Sequence, residues 1–225
     1  MKDVETRYFA ATVELRSGDS GLKLGGYAIK YDKISQNLGG FVERIAPGAL
    51  NQTLAEGGDI LARYEHEDRF LLGRTSAGTL RLMPDEIGLG YEVDLPDTSY
   101  ARDLAALAER GDVRYSSFAF IAKDEKWSTT ERGYTLRTVT ALHLLDVAPV
   151  VNPAYLDTTT GLRHLAEARN LDFDSVRAAA ESGTLAEVLR EGSQPVPEPP
   201  PSETHGTPVG LLRQRGDWLS RRPIP

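Results

Sequence analysis

Residues 111–120 constrain the fold most, because they carry two phenylalanines and two serines in one strand-like stretch. Side chains along a strand alternate between its two faces, so Phe118 and Phe120 share a face with Ser116. Ser117 lies on the other face, and it projects away from the core if both rings enter it. The stretch therefore predicts a rigid core strand and offers Ser117 as a candidate nucleophile. A serine that only binds a neighbour fits the same pattern.

Two kinds of periodicity run through the rest of the chain. Alternation of polar with apolar or aromatic residues predicts strands over residues 7–15, 22–31, 41–45, 60–66, 79–83, 89–95 and 134–151. Helical spacing and capping residues predict helices over 47–54, 96–111, 161–169 and 173–190. Asp172 or Asp174 is the expected N-cap of the last helix. The expected fold class is mainly β with flanking helices, an α+β protein.

The composition changes twice along the chain, which predicts three parts. Residues 1–158 are β-rich and long enough for one sizeable core, and residues 159–192 form a helical segment. Residues 193–225 begin with a proline-rich linker, expected to be disordered, and end in a basic tail. We expect this last part to be dispensable for folding and to act as an address or a self-cleavage site.

Composition also argues against several classes of protein. The absence of cysteine removes thiol nucleophiles, disulfides and cysteine-ligated zinc, and it fits a cytoplasmic protein. The sequence has no run of about 18 apolar residues that could span a membrane, and its N-terminus shows no secretory signal. A net charge of −7 argues against nucleic acid as the main partner. The glycine-rich phosphate loop and the paired-histidine zinc motif are both missing.

A serine hydroxyl needs a base before it can act as a nucleophile, and histidine is the usual one. Of the four histidines, His66 and His143 fall in the β-rich part. A third group must orient the imidazole, and Asp146 is a candidate because a carboxylate on an apolar strand needs a partner. Strand alternation predicts that His143 and Asp146 lie on opposite faces, so that one of them reaches a common site. The residues alone do not choose between them.

Six short segments follow one another in compact order between about residues 8 and 157. They are Gly-Gly-Tyr-Ala at 25–28, residues 39–49, residues 72–80 beginning Leu-Gly-Arg-Thr, Leu-Pro-Asp-Thr-Ser-Tyr at 95–100, residues 111–120, and residues 144–155 ending Pro-Ala-Tyr. Together they resemble the prohead (capsid maturation) protease family of tailed bacteriophages, whose fold is similar to the herpesvirus assembly protease.

The resemblance implies a closed β-barrel and a serine endopeptidase that needs no cofactor and no metal. It implies that Ser117 is the nucleophile and His66 the general base. Asp146 falls where the family usually has a glutamate and is the implied third member. The herpesvirus relatives use a second histidine in that role, which keeps His143 open as the alternative.

The resemblance also implies partners and a place of action. The expected substrates are the scaffold, the major capsid protein and the protease itself. No nucleic acid or membrane is expected as a partner, and a homodimer is left open. The expected location is the host bacterial cytoplasm, inside the assembling prohead.

Two other hypotheses fit parts of the sequence. A non-catalytic assembly or scaffolding protein would keep a protease-like fold and use its helical segment to bind capsid subunits. A metal-dependent hydrolase would be centred on the acidic stretch 65–68 around His66. Loss of processing on changing Ser117 distinguishes the protease from the first, and chelator inhibition would indicate the second.

Overall fold

The computed structural model describes residues 4–9, 13–18, 21–151 and 159–191. The chain divides into two units, Met1–Ser193 and Gln194–Pro225, and every described residue lies in the first. The linker and tail predicted over 193–225 and the Pro-Ala-Tyr segment lie outside the described residues. The domain boundary at 158 stays a prediction. In the described part of the chain, no helix is long and apolar enough to cross a membrane.

Strands predominate over helices in the described ranges. The strands are β1 (Glu5–Phe9), β2 (Glu14–Gly18), β3 (Gly21–Lys30), β4 (Phe41–Ile45), β5 (Leu61–Arg63), β6 (Leu71–Arg74), β7 (Leu80–Pro84), β8 (Gly88–Asp94), β9 (Tyr115–Thr129) and β10 (Thr135–Val150). The helices are α1 (Asn51–Glu56), α2 (Ser99–Arg110), α3 (Thr159–Arg169), α4 (Phe173–Ser182) and α5 (Leu185–Glu191). Two short 3₁₀ turns, Tyr64–His66 and Asp68–Phe70, follow β5.

The first sheet is mixed and contains six strands in the order β1-β9-β10-β5-β6, with β4 also paired to β10. β9 and β10 form a long antiparallel hairpin. β10 runs parallel to β4 along its first half and parallel to β5 near its end. The end of β5 is therefore held close to the part of β9 that carries Ser117, with one strand between them.

The second sheet is antiparallel, in the order β2-β3-β8-β7, and the main core joins residues of both sheets. Phe118 and Phe120 are fully buried in this core, as the alternation in 111–120 predicts. Gly25 lets β3 approach β8 closely, because a Cβ atom there would lie 2.3 Å from the carbonyl oxygen of Tyr91. The core thus buries one face of β9 and leaves Ser117 on the other.

The predicted closed barrel is wrong. β1 and β6 are the end strands of the first sheet and β2 and β7 those of the second, and no pairing among the described strands closes either sheet. The single strand expected over 7–15 is in fact two, β1 in the first sheet and β2 in the second. Alternation indicates which face of a strand is buried, but it does not say which sheet edge the strand joins.

The three C-terminal helices pack on a second apolar cluster. It comprises Leu38, Phe41, Leu162, Leu165, Ala166, Val176, Ala179, Ala180, Leu185 and Leu189. Helices predicted over 161–169 and 173–190 are confirmed in type, but the second is interrupted at Gly183, whose φ of 77° ends α4. The carboxylate of Asp172 caps α4 by accepting a hydrogen bond from the Ser175 amide at 2.9 Å.

Candidate active site

Ser117 lies on the face of β9 that points away from the main core. Ser117 is 1% exposed, and it pairs across the strands with Tyr8 of β1 and Ala148 of β10. Ser116 lies on the opposite face, where its Oγ is 3.3 Å from the Tyr91 hydroxyl. Burial raises the pKa of Tyr91 to about 12, so the phenol keeps its proton at neutral pH and offers Ser116 no base. Of the two serines, only Ser117 lies beside a histidine.

His66 reaches Ser117 because β5 ends earlier than the sequence predicts. The strand expected over 60–66 stops at Arg63 and is followed by a turn in which Glu65 and His66 have φ values of 56° and 58°. Left-handed backbone costs a non-glycine residue about 1–2 kcal/mol and is found mainly where tertiary contacts enforce it. One such contact is the Glu65 carboxylate, which accepts a hydrogen bond from the Val151 amide at 2.6 Å.

Three side chains are joined in a hydrogen-bonded series. The Nε2 atom of His66 lies 2.6 Å from the Oγ atom of Ser117. The Nδ1 atom of His66 lies 2.7 Å from the Oδ1 atom of Asp146, whose side chain is fully buried. Each ring nitrogen of His66 thus has one partner, and the carboxylate fixes both the orientation and the tautomer of the imidazole.

Asp146 joins this series because β10 contains a bulge. Leu144 pairs with Phe120 and Asp146 pairs with Ala119, so Leu145 lies between them without an opposing residue on β9. The extra residue reverses the alternation beyond it. Asp146 therefore shares a face with Ser117, whereas an unbroken strand would turn it toward the core.

The bulge also overturns the expectation that His143 and Asp146 lie on opposite faces. His143 pairs with Ile121, which shares the face of Ser117, but four residues along β9 amount to about 13 Å. The Nδ1 atom of His143 is 3.9 Å from the Oε2 atom of Glu56 in α1. The structure therefore brings Asp146, and not His143, to His66.

The Ser117 hydroxyl has a second acceptor within reach. Its Oγ atom is 2.9 Å from the carbonyl oxygen of Arg7 in β1. The hydroxyl has a single proton, so it donates either to His66 or to Arg7. Donation to His66 leaves the imidazole neutral, with its proton on Nδ1 toward Asp146. Donation to Arg7 requires an imidazolium that donates from both nitrogens.

Arg63 is a residue of this site that the sequence did not single out. Its Nη2 atom contacts the Oδ2 atom of Asp146, and its Nη1 atom contacts Asp68. Burial lowers the pKa of Arg63, but the charges of Asp146 and Asp68 outweigh burial and raise it above its usual value. The sequence did offer one signal: an arginine inside a predicted apolar strand, three residues before a candidate base, needs a carboxylate partner.

The acidic residues around His66 do not converge on one point. Glu65 binds the Val151 amide, Asp68 contacts Arg63, and Glu67 lies 3.8 Å from Arg69. Within the ranges that the structure describes, no group of three histidine, aspartate or glutamate side chains is arranged to hold a metal ion.

A hydroxyl, an imidazole and a carboxylate joined in series form the arrangement by which serine hydrolases are recognised. The model of the caudovirus prohead serine protease family matches residues 10–171, and the chain belongs to that family. This confirms the resemblance found in the sequence, and it makes the chain a phage capsid maturation protease. α4 and α5 lie beyond the matched residues, and β1 precedes them.

No curated protein matches the chain. Among solved structures, the bacteriophage T4 capsid assembly protease gp21 is similar, with 11% sequence identity over 67% of this chain and 98% of that chain and a TM-score of 0.49.

Proposed function

We propose that this chain is a serine endopeptidase with Ser117 as nucleophile, His66 as general base and Asp146 as the residue that orients His66. The observation that carries the proposal is the hydrogen-bonded series of these three side chains. The 2.6 Å between His66 Nε2 and Ser117 Oγ is within the reach that a base needs to take the hydroxyl proton.

The reaction follows from these positions. As the Ser117 oxygen attacks the carbonyl carbon of the scissile peptide, its proton passes to Nε2 of His66. His66 then gives that proton to the leaving amine, and an acyl-enzyme on Ser117 remains. Water repeats the sequence: His66 accepts a proton from the water, the ester bond breaks, and the proton returns to Ser117.

Asp146 supports the charged stage of each half-reaction. The imidazolium that forms on His66 lies 2.7 Å from a carboxylate that is fully buried, where the attraction is weakly screened. The same carboxylate accepts the Nδ1 proton, so Nε2 is the nitrogen that faces Ser117 with a free lone pair. A neutral amide at position 146 would not select this tautomer.

The substrates that we propose are the proteins of the immature phage head. These are the scaffold and the major capsid protein, together with the protease itself, and cleavage takes place inside the prohead in the host cell. The family is described as a prohead serine protease family, which supports this choice. Peptide hydrolysis there would make assembly irreversible, because the cut scaffold cannot rebuild the shell.

The test is the intact mass of the full-length chain over time, for wild type, Ser117→Ala and Ser116→Ala. We expect cleavage in the wild type and in Ser116→Ala. Ser117→Ala should reduce the rate roughly 10³-fold or more, because it removes the attacking oxygen. Ser116 is a matched control, since it is the neighbouring serine on the opposite face of the same strand.

If the wild type does not cut itself, scaffold and capsid protein are added as substrates. Equal processing by wild type and Ser117→Ala would contradict the proposal, and the absence of processing by either would favour a non-catalytic assembly protein. Loss of processing in Ser116→Ala with retention in Ser117→Ala would show that Ser116 is the nucleophile and would contradict the proposed assignment.

A further inference from the structure

Arg63 occupies the side of the Asp146 carboxylate that His66 leaves open. The Oδ1 atom of Asp146 binds His66 at 2.7 Å, and the Oδ2 atom contacts the guanidinium of Arg63. We propose that Arg63 is a positioning residue of the site: it fixes the Asp146 carboxylate, and its positive charge balances that carboxylate so that His66 is not needed as its counter-ion. This inference rests on the proposed function and names a further member of the same site.

The sheet brings Arg63 and His66 to the same carboxylate. β5 runs parallel to β10, with Leu61 beside Asp146 and Ala62 beside Val147. Arg63 is the last residue of β5, and the 3₁₀ turn Tyr64–His66 that follows it directly carries His66. The two side chains therefore approach Asp146 from one end of a single short segment, and each takes one oxygen.

The charge balance explains why Arg63 matters for the base. Asp146 is fully buried, and the side chain of Arg63 is 17% exposed, so both charges are largely removed from water. With Arg63 present, the carboxylate already has a counter-ion and the imidazole has no need to become one. Without Arg63, His66 would be the remaining group able to neutralise Asp146, and it would hold a proton at higher pH.

The other charged groups around the site leave this role to Arg63. Asp68, from the second 3₁₀ turn, contacts the other Nη atom of Arg63, and its side chain is 90% exposed. Glu65 is directed to the Val151 amide. From β1, the guanidinium of Arg7 pairs with Glu43 and Glu5 and offers only its carbonyl to the site.

Arg63 does not bind one carboxylate in a bidentate manner but contacts two different carboxylates. Each Nη atom serves a different carboxylate, and among the described residues the buried Nε atom has no acceptor. An arginine that served stability alone would gain more from two parallel bonds to one carboxylate. The observed arrangement instead leaves Oδ1 of Asp146 entirely to His66.

The first experiment measures the pH titration of the His66 imidazole by NMR in the full chain carrying Ser117→Ala, which prevents self-cleavage. Arg63→Met should move the titration midpoint of His66 upward by about one pH unit, because it removes the cation that balances the Asp146 carboxylate. Arg63→Lys keeps the charge and should leave the midpoint within a few tenths of a unit of that in the parent protein. Arg69→Met is the matched control, since Arg69 lies in the adjacent turn and its side chain is 73% exposed.

A second pair of variants tests the same inference without disturbing a buried side chain. Asp68→Asn and Glu67→Gln each remove one exposed negative charge from the same segment. Asp68 contacts Arg63, and removing its charge leaves Arg63 to balance Asp146 alone. Asp68→Asn should therefore lower the titration midpoint of His66 more than Glu67→Gln does, although Glu67 is the sequence neighbour of His66. This pair decides the question if Arg63→Met does not fold.

In the active protein, the acidic limb of the kcat/KM profile should move with the titration midpoint in every variant. An unmoved midpoint in Arg63→Met, or equal shifts for Asp68→Asn and Glu67→Gln, would overturn the inference. The titration is read in a protein without the Ser117 hydroxyl, so it stands apart from catalysis. Equal processing by wild type and Ser117→Ala would instead overturn the proposed function.

Discussion

Leu145 is the residue whose presence decides whether the Asp146 side chain faces Ser117 or the main core. In an unbroken antiparallel pair, Asp146 would lie opposite Phe118 and point into the main core. The extra residue shifts it opposite Ala119, and the small side chains of Ala119 and Ala148 leave room beside Ser117. A single inserted residue thus converts a core position into a site position.

The role of Asp146 can be tested against the alternative residue His143. Asp146→Asn should lower kcat by roughly 10³–10⁴-fold, because the amide does not select the required tautomer of His66 and does not stabilise the imidazolium. His143→Gln should leave kcat within about threefold, since the His143 imidazole lies beside Glu56 of α1, at 3.9 Å, and not beside His66. The measurement is the rate of capsid-protein cleavage at saturating substrate.

Folding of both variants is followed by their urea midpoints, so that lost activity is not confused with lost structure. The assignment of Asp146 would be wrong if His143→Gln lost activity and Asp146→Asn kept it.

The sequence predicted the residues of the site unevenly. Alternation in 111–120 correctly separated Ser117 from the core rings, because β9 is regular there. The same rule failed for Asp146, since no local pattern announces that Leu145 is bulged. The turn at His66 was missed for a related reason: its left-handed residues are held by contacts with the end of β10, which are distant in sequence.

At the scale of elements, a buried ion cluster ties β1 to the centre of the first sheet. Arg137 of β10 is fully buried, and its Nη1 atom lies 2.6 Å from Glu5 of β1 and 2.7 Å from Glu43 of β4. Arg7 of β1 binds the same two carboxylates at 2.7 and 2.9 Å. Because the Arg7 carbonyl oxygen lies 2.9 Å from the Ser117 Oγ atom, the cluster also fixes a neighbour of the proposed nucleophile.

Helix α3 joins this cluster through His164, whose Nδ1 atom is 3.0 Å from the Nη2 atom of Arg137. Glu125 of β9 completes the contact, 3.4 Å from His164. Burial raises the pKa of Glu125, but the hydrogen bond with His164 and the charge of Arg137 outweigh burial and lower it to about 2. The carboxylate is therefore more acidic in the folded than in the unfolded chain.

This shift gives stability a defined pH dependence. A depressed folded pKa stabilises the protein fully above the ordinary value of 4.5, and the contribution is lost as the pH falls toward 2. The difference corresponds to at most about 3 kcal/mol at neutral pH. We expect Glu125→Gln to lower the free energy of unfolding at pH 7 and to flatten its fall between these two pH values.

The measurement is urea unfolding at a series of pH values in the Ser117→Ala background. Glu14→Gln is the control, because Glu14 is an exposed glutamate with an exposed arginine partner. If the free energy of unfolding of Glu125→Gln fell as steeply with decreasing pH as that of its parent, Glu125 would not be the source of this pH dependence.

For the molecule as a whole, local patterns identified most elements but not their assembly. The strand at 41–45 and the helix ending at Gly111 were confirmed, because alternation and a left-handed C-cap at φ 82° are written in neighbouring residues. The barrel was wrong because closure depends on which edges meet, and β1 and β2 enter different sheets within a few residues. The local sequence pattern of a strand does not indicate which distant strand it pairs with.

The C-terminal helices bear on where the protein can be shortened. Leu162 and Leu165 of α3 are buried against a cluster that includes Phe41 of β4. The fit at the start of α3 is close, because a Cβ atom on Gly161 would lie 2.6 Å from the Phe41 ring. Removing the helices would expose this apolar surface and strip His164 from the ion cluster.

We therefore expect a fragment ending at residue 191 to fold and cleave like the full chain, whereas one ending at 158 does not fold. Burial of each leucine or valine of the cluster contributes about 1.5–3 kcal/mol. The burial free energy lost with the helices is therefore comparable to the whole free energy of unfolding of a domain, about 5–15 kcal/mol.

Leu165→Ala in the full chain should alone lower the free energy of unfolding by about 2–5 kcal/mol, since this leucine is fully buried. Urea midpoints in the Ser117→Ala background measure the stability of the fragments and of Leu165→Ala, and the cleavage rate of fragment 1–191 is measured with Ser117 intact. A stable fragment 1–158 with an unchanged midpoint would mean that the helices are an independent addition, and the proposed protease would then be complete without them.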